Sequence, residues 1–241
     1  MDLHIGHLYP DLMNIYGDRG NVIALSQRAK WRGIDVAVRP YSVGEWADPD
    51  WPDVWFFGGG QDQGQDIVGA DLAGKNGAAL RKSVEGGAAI FSVCGGYQLL
   101  GHEYVPETGP SIPGVGILDV TTRAGKTRFV GNLLVNAPDA YLIGFENHSG
   151  RTYLGSSAKP LGTVVVGNGN NGEDKTEGAV QGRVIGCYLH GSCLPKNPWL
   201  ADRLLGWALA RRHDPVTLAP LDDADEKSAR DQASEIARTR P

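Results

Sequence analysis

The stretch AAIFSVCGGYQLLG, residues 88–101, decides the fold. An apolar run ends abruptly at Cys94, two glycines follow, and a helix-like pattern comes after them. A continuous apolar run of this length is typical of a strand covered on both faces, as in a mostly parallel sheet between helices. A strand that enters a helix through a tight turn places the turn residue where α/β sheets bind ligands. The stretch therefore predicts an α/β fold with Cys94 at the carboxyl edge of its central sheet.

A second stretch, VWFFGGG at residues 54–60, repeats this strand-to-glycine pattern. Helical spacing over residues 20–32 and 72–87 alternates with apolar runs, which indicates a mostly parallel sheet covered by helices on both faces. The second half contains shorter β-like pieces, and a helix with proline near its start follows at residues 198–212. After Asp214 the composition becomes charged and alanine-rich. We predict a domain over residues 1–214 and a polar tail or helix over 215–241.

Composition excludes several functional classes. The 241 residues carry a net charge of −5, so no basic excess indicates nucleic acid as a partner. No signal-like start and no apolar run of about 18 residues is present, which predicts a cytoplasmic protein without an integral membrane segment. Three cysteines, an odd number without zinc-like spacing, favour reduced thiols over a disulfide framework or a metal site.

Cys94 has two interpretations, a buried structural thiol or a nucleophile. A helix N-terminus stabilises a thiolate, and a free amide in a glycine-rich turn can donate to an oxyanion. A thiolate nucleophile also needs a histidine. Of the six histidines, His190 ends the apolar run VIGCYLH and precedes a glycine, so it also belongs at a strand's carboxyl end. The pattern favours a Cys94–His190 pair.

Four motifs carry a family resemblance: FFGGGQDQ, FSVCGGYQLLG, GFENHSGRT and CYLHGSCLPKNP. Together they resemble the class I, triad-type glutamine amidotransferases, in the branch that contains the cobyric acid synthase glutaminase domains. Within that branch the opening HLYPDLMNIYGDRGN and the segment TRFVGN, interpreted as a loop, resemble stand-alone glutaminase subunits that serve lipid II amidation. The resemblance covers about residues 3–206 and implies a flavodoxin-like fold, with a mostly parallel central sheet and helices on both faces.

The resemblance implies roles for particular residues. Cys94 would attack the side-chain carboxamide of L-glutamine, and His190 would protonate the leaving nitrogen. Backbone N–H groups of Gly59, Gly60 and Gly95 would form the oxyanion hole.

Further implied roles concern binding and partners. Arg128 would hold the substrate α-carboxylate, and Gln98 would help to hold the substrate. The implied partner is an ATP-dependent, MurT-like synthase of the Mur-ligase family, forming a heterodimer. No phosphate loop is present in this chain, because Val120 stands where the AGKTR segment would need glycine. We therefore expect no cofactor or metal here, and ATP with magnesium on the partner.

One position departs from the family. Most class I members carry an acidic residue two positions after the catalytic histidine, whereas this sequence has Ser192. Either Glu146 substitutes, or the partner supplies a carboxylate, and the resemblance together with the lack of a synthase domain favours the partner. Two other functions remain open: a glutaminase for cobyrinate-type amidation, and a non-catalytic glutamine-binding subunit.

Overall fold

The computed structural model describes residues 1–213 and 216–240. Along this part of the chain the strands are β1 (Asp2–Leu8), β2 (Asp35–Tyr41), β3 (Val54–Phe57), β4 (Ala89–Val93), β5 (Glu103–Val105), β6 (Ile112–Pro113), β7 (Val120–Asn136), β8 (Tyr141–Leu154), β9 (Gly162–Val166), β10 (Thr176–Glu177), β11 (Ala179–Gln181) and β12 (Val184–Cys187). The α-helices are α1 (Arg19–Lys30), α2 (Asp62–Asp71), α3 (Gly77–Glu85), α4 (Gly95–Leu100), α5 (Cys193–Lys196), α6 (Pro198–Leu209) and α7 (Ala224–Thr239).

The central sheet has the strand order β11-β12-β4-β3-β1-β2. Its strands from β12 to β2 pair in parallel, and only β11 pairs antiparallel, at one edge. Every residue of β3 and β4 is buried, as expected for strands in the middle of a covered sheet. The mostly parallel central sheet predicted from the two apolar runs is confirmed.

A second sheet, of order β10-β9-β7-β5-β6, carries the long β7–β8 hairpin. The sequence predicts only short β-like pieces here and places TRFVGN in a loop, which is wrong, because β7 and β8 are 17 and 14 residues long. Their pairing shifts register between Ala124 and Phe129. A bulge of this kind interrupts the alternating pattern by which a strand is identified in a sequence.

The region after the predicted domain boundary contains a helix that packs on the second sheet. The boundary between residues 214 and 215 lies outside the described residues, as does the end of the chain at residue 241. Within the region predicted as a polar tail or helix, the structure has α7, whose Ala237 packs against Leu134 and Ile143 of the β7–β8 hairpin. This contact fixes the helix to the second sheet.

The carboxyl edge of the central sheet is where the chain brings its motifs together. Strands β1, β3, β4 and β12 end there in adjacent positions. They continue into the segment that carries Asp18, the Gly58–Gly60 turn, Cys94 and His190, respectively. Residues far apart in sequence therefore meet at one point.

Candidate active site

Cys94 occupies a strained turn between β4 and α4. Its φ of 49° and ψ of −108° lie outside the regions that L-residues ordinarily adopt. Such strain persists only where the surroundings enforce it, and here the Cys94 N–H donates to Cys187 O at 2.9 Å while Cys94 O accepts from Gln98 N at 2.9 Å. The geometry is that of a nucleophile elbow, with the side chain at the N-terminus of a helix.

His190 lies beside Cys94 and is fully buried. Its backbone pairs with Phe145 of β8, since His190 N donates to Phe145 O at 2.8 Å. The rings of Tyr16 and Phe145 pack against the imidazole, with centroid distances of 4.9 Å and 5.7 Å. The imidazole therefore has little freedom to turn away from the thiol.

Asp18 provides a buried carboxylate next to His190. Its Oδ1 lies 3.6 Å from His190 Nδ1, and neither atom has a hydrogen-bond partner among the described residues. Burial lowers the pKa of His190, but the Cys94 thiolate and Asp18 outweigh this effect and raise it to about 10. Asp18 is therefore a candidate for the third member of the site within this chain, and the expectation that a partner supplies a carboxylate stays a prediction.

The prediction that Glu146 supplies the carboxylate beside His190 is wrong. Its Oε1 accepts from the backbone N–H of Asn168 at 2.8 Å, and its Oε2 accepts from that of Gly169 at 2.9 Å. The carboxylate thus holds the 167–174 loop. Ser192 does not accept from the imidazole either, since neither ring nitrogen of His190 has a hydrogen-bond partner among the described residues. The Ser192 hydroxyl donates to Gly17 O at 2.6 Å. That bond ties the His190 loop to the segment carrying Asp18.

Gly59 is the point on which the three side chains converge. A Cβ built there would lie 2.9 Å from His190 Cε1, 3.2 Å from Asp18 Oδ2 and 3.2 Å from Cys94 Cβ. Any side chain larger than hydrogen would displace the group, so glycine is required here for close approach.

The oxyanion assignment needs one correction. The Gly59 N–H donates to Asp18 Oδ2 at 2.7 Å and is not available to an oxyanion. The N–H groups of Gly60 and Gly95 donate to no backbone acceptor among the described residues. Gly95 also opens α4, where the first N–H groups of a helix have no intrahelical partner. The structure therefore leaves Gly60 and Gly95 as candidate donors.

A cleft of about 570 Å³ opens over Cys94, and Arg128, Gln98 and His148 line it. The volume lies in the range of small-molecule sites. Arg128 Nε donates to Asn147 Oδ1 at 2.7 Å, and Asn147 Nδ2 donates to the Tyr16 hydroxyl at 2.7 Å. This chain of bonds fixes the guanidinium by its Nε, and its two terminal nitrogens donate to no other described residue.

Gln98 and His148 form a polar wall of the cleft. Gln98 is 3% exposed, its Nε2 donates to the Tyr188 hydroxyl at 3.1 Å, and its Oε1 has no partner among the described residues. His148 stacks on Tyr188 with a centroid distance of 3.5 Å, and its Nδ1 donates to Gly150 O at 2.9 Å. Burial lowers the pKa of His148, so this ring is a neutral surface.

Asp18 and Gln65 lie in the site but are not predicted from the sequence. Asp18 lies in the opening motif, 172 positions before His190, so the distance along the chain hides the pairing. Its signal was present nonetheless, since it stands in the segment HLYPDLMNIYGDRGN that carries the family resemblance. Gln65 lies in the first turn of α2, just after the triple glycine, and lines the same cleft.

The described residues form neither a metal site nor a membrane-spanning helix. Among residues 1–213 and 216–240, no group of three or more histidine, cysteine or acidic side chains is placed to hold a metal ion. Within the same residues, no helix combines the length and hydrophobicity that a bilayer span requires.

Comparisons with known proteins show the family to which the chain is similar. Residues 4–198 match the CobB/CobQ-like glutamine amidotransferase domain family. The lipid II isoglutaminyl synthase (glutamine-hydrolyzing) subunit GatD of Streptococcus pneumoniae (strain ATCC BAA-255 / R6) is 38% identical over 238 residues, which covers 97% of this chain and 91% of that protein.

The chain also matches part of a larger protein and the fold of a solved structure. The cobyric acid synthase of Pelotomaculum thermopropionicum is 37% identical over 152 residues, which covers 56% of this chain but 28% of that protein. A crystal structure of a glutamine amidotransferase superposes with a TM-score of 0.58 at 17% identity, covering 84% of this chain and 98% of that one. The superposition confirms the predicted fold class.

Proposed function

The chain belongs to the CobB/CobQ-like glutamine amidotransferase family, and from this premise we propose that it is the glutaminase subunit of a lipid II isoglutaminyl synthase. In this role it hydrolyses L-glutamine to glutamate and ammonia. The ammonia then amidates the α-carboxylate of the D-glutamate residue of lipid II, a step of peptidoglycan synthesis. The observation that carries the proposal is the convergence of Cys94, His190 and Asp18 on Gly59, beneath a cleft that contains Arg128.

The first half of the proposed reaction forms a thioester. The Cys94 thiolate attacks the γ-carbonyl carbon of glutamine, and the negative charge on the carbonyl oxygen is stabilised by the N–H groups of Gly60 and Gly95. His190, protonated beside the thiolate and Asp18, gives its proton to the departing nitrogen. The C–N bond breaks, ammonia leaves, and the γ-glutamyl group stays on Cys94.

The second half releases glutamate. Neutral His190 takes a proton from water, and the resulting hydroxide equivalent attacks the thioester carbonyl. The C–S bond breaks, glutamate leaves, and the Cys94 thiolate faces a protonated His190 again. Asp18 stabilises the imidazolium in both halves and keeps the hydrogen of the neutral ring on Nδ1, so that Nε2 is the basic atom.

Ammonia alone does not amidate a carboxylate, which must first be activated. The proposal therefore includes a MurT-like synthase of the Mur-ligase family as the partner in a heterodimer, with ATP and magnesium bound there. The AGKTR segment supports this division, because it lacks the first glycine of a phosphate loop. A cytoplasmic location is part of the proposal, and three free cysteines agree with a reducing compartment.

Reconstitution tests the proposal. The chain is mixed with the MurT-like synthase encoded by the same source, lipid II, ATP, magnesium and L-glutamine, and the amidated product is quantified by mass spectrometry. We expect amidation that requires both proteins. Cobyrinate in place of lipid II tests the alternative suggested by the partial match to cobyric acid synthase. Amidation of cobyrinate but not of lipid II would overturn the proposed acceptor.

Replacing Arg128 tests substrate anchoring. A two-pronged contact between its terminal nitrogens and the α-carboxylate is worth roughly 2–4 kcal/mol, because the carboxylate would otherwise be desolvated without a partner. We expect Arg128→Ala to lower kcat/KM for glutamine by about two orders of magnitude and Arg128→Lys to recover little, because lysine lacks the planar fork. Steady-state glutaminase kinetics measure this.

The neighbouring exposed residue Arg123 offers a matched control for Arg128. Arg123 lies on the same strand, β7, and does not line the cleft. Arg123→Ala should leave kcat/KM within about twofold, as is usual for surface substitutions. Unchanged kinetics in both Arg128 variants would refute the anchoring role.

A further inference from the structure

Gln65 has no role in the mechanism above, yet its side chain faces the same cleft. It lies in the first turn of α2, directly after the Gly58–Gly60 turn, and is 3% exposed. Its Oε1 is buried and accepts no hydrogen bond from any described residue. A buried carboxamide oxygen without a donor is costly, so its presence at a binding cleft calls for an explanation.

The orientation of the Gln65 amide follows from its neighbour. Gln65 Nε2 donates to Gly60 O at 3.3 Å, and a carbonyl oxygen can only accept. The amide therefore points its nitrogen at the turn and its oxygen away from it. Because the opposite orientation would place two acceptors against each other, the unpartnered atom is the oxygen.

The position of Gln65 sets which part of a substrate it meets. A Cβ built on Gly95 would lie 2.8 Å from Gln65 Nε2, so the amide packs against the residue that follows Cys94. Its other neighbour is Gly60, whose N–H is the second candidate donor to the oxyanion. Arg128, which would hold the α-carboxylate, lies on the β7–β8 hairpin instead. Gln65 is thus at the reacting end of the cleft.

Among the described residues, two buried glutamine oxygens without a partner line the cleft, those of Gln65 and Gln98, and they differ in what surrounds them. Gln98 donates to Tyr188, and a Cβ built on Gly150 of the hairpin would lie 2.4 Å from Gln98 Nε2. Its oxygen therefore belongs to the wall beside the hairpin. A glutamine substrate brings N–H donors at two places, the α-ammonium and the side-chain carboxamide. Of the two buried oxygens, that of Gln65 belongs to the side chain that packs against both oxyanion glycines, Gly60 and Gly95.

Resting on the proposed function, we infer that Gln65 Oε1 accepts a hydrogen bond from the carboxamide nitrogen of the substrate. This contact would select an amide over an ester or an acid at the scissile position, because an ester has no N–H to offer and a carboxylate would repel the oxygen. It would also orient the nitrogen that receives the proton from His190. Gln65 is in this account a specificity-determining residue.

The test compares an amide with an ester in the complex of this chain with its synthase partner. Glutamate release is measured from L-glutamine and from L-glutamic acid γ-methyl ester, in the wild type and in Gln65→Met, which keeps the side-chain volume and removes the oxygen. Gln232→Met, an exposed position on α7, is the matched control. Labelling of Cys94 by the diazoketone analogue of glutamine, which also lacks the amide N–H, reports whether each variant is folded.

We expect Gln65→Met to lower kcat/KM for glutamine by about 10-fold to 100-fold, the usual cost of an unmet hydrogen bond in a closed site. Hydrolysis of the γ-methyl ester and the rate of Cys94 labelling should stay within about threefold of the wild type, as should every activity of Gln232→Met. Equal losses with both substrates would overturn the inference, as would no loss with either. A wild-type complex that hydrolyses no glutamine would instead refute the proposed function.

Discussion

Replacing Cys94 with alanine is expected to lower glutamine-dependent amidation by the complex by about five to six orders of magnitude, the loss that follows removal of a nucleophile from a nucleophile–base pair. Ammonia-dependent amidation should persist, because ammonium chloride bypasses the glutaminase site and reaches the synthase directly. The two reactions are measured side by side, with glutamine or ammonium chloride as nitrogen donor. The contrast separates loss of the nucleophile from loss of the complex.

Cys187 provides the matched control for this substitution. Its side chain is fully buried, and burial raises the pKa of its thiol well above the ordinary range, so it is not a thiolate at neutral pH. Cys187→Ala should therefore keep glutamine-dependent amidation within about threefold of wild type, provided the protein is folded. Glutamine-dependent amidation that survives in Cys94→Ala would show that another group performs the attack.

Replacing Asp18 with asparagine should have the second-largest effect. The asparagine oxygen can still accept from Gly59 N, but its NH₂ group then faces His190 Nδ1, which must become an acceptor. The ring hydrogen moves to Nε2, and neutral His190 is left without a basic atom toward the substrate. The same change in a serine–histidine–aspartate site costs about four orders of magnitude in kcat, and we expect about three to four orders here.

The pH dependence distinguishes this effect from simple disruption. Burial lowers the pKa of His190, but the Cys94 thiolate and Asp18 outweigh it and raise the pKa to about 10, so the wild-type ring is protonated beside Cys94 at neutral pH. In Asp18→Asn the pKa of His190 falls, so the ring loses its proton at lower pH. The alkaline fall in kcat/KM should therefore move to lower pH. The pH profile of kcat/KM measures this, and an unshifted profile would contradict the assigned role.

Ser192→Ala is the control for Asp18→Asn. Ser192 lies two residues after His190, where most class I members carry their carboxylate, but its hydroxyl only ties this loop to Gly17 O. Removing one such bond should cost no more than about tenfold in kcat/KM, well below the loss in Asp18→Asn. A Ser192→Ala loss as large as that of Asp18→Asn would show that loop anchoring, rather than the carboxylate, explains both results.

The central sheet and the Cys94–His190 pair were accessible from the sequence because their signals are local. An apolar run that ends in glycine identifies a buried strand and its carboxyl end, and AIFSVCGG and VIGCYLHG both carry this signal. Two parallel strands that are neighbours in one sheet bring their ends together, so the pair follows once both runs are placed in it.

The remaining residues depend on contacts that no local pattern encodes. Asp18 reaches His190 from the opposite end of the sequence, and its second oxygen takes the Gly59 N–H that the family pattern assigns to the oxyanion. The bulge in β7 makes the segment around Arg128 resemble a loop. The free oxygen of Gln65 becomes visible only when every donor around it has been accounted for.

Mapping the covalent adduct of a diazoketone analogue of glutamine tests most directly whether Cys94 is the nucleophile of a glutamine site. The protein is incubated with the analogue, digested, and analysed by peptide mass spectrometry, with excess L-glutamine as competitor in a parallel sample. We predict one adduct, on Cys94, that glutamine suppresses, and unmodified Cys187 and Cys193. An adduct on Cys187 or Cys193, or labelling of Cys94 that glutamine does not suppress, would contradict the account.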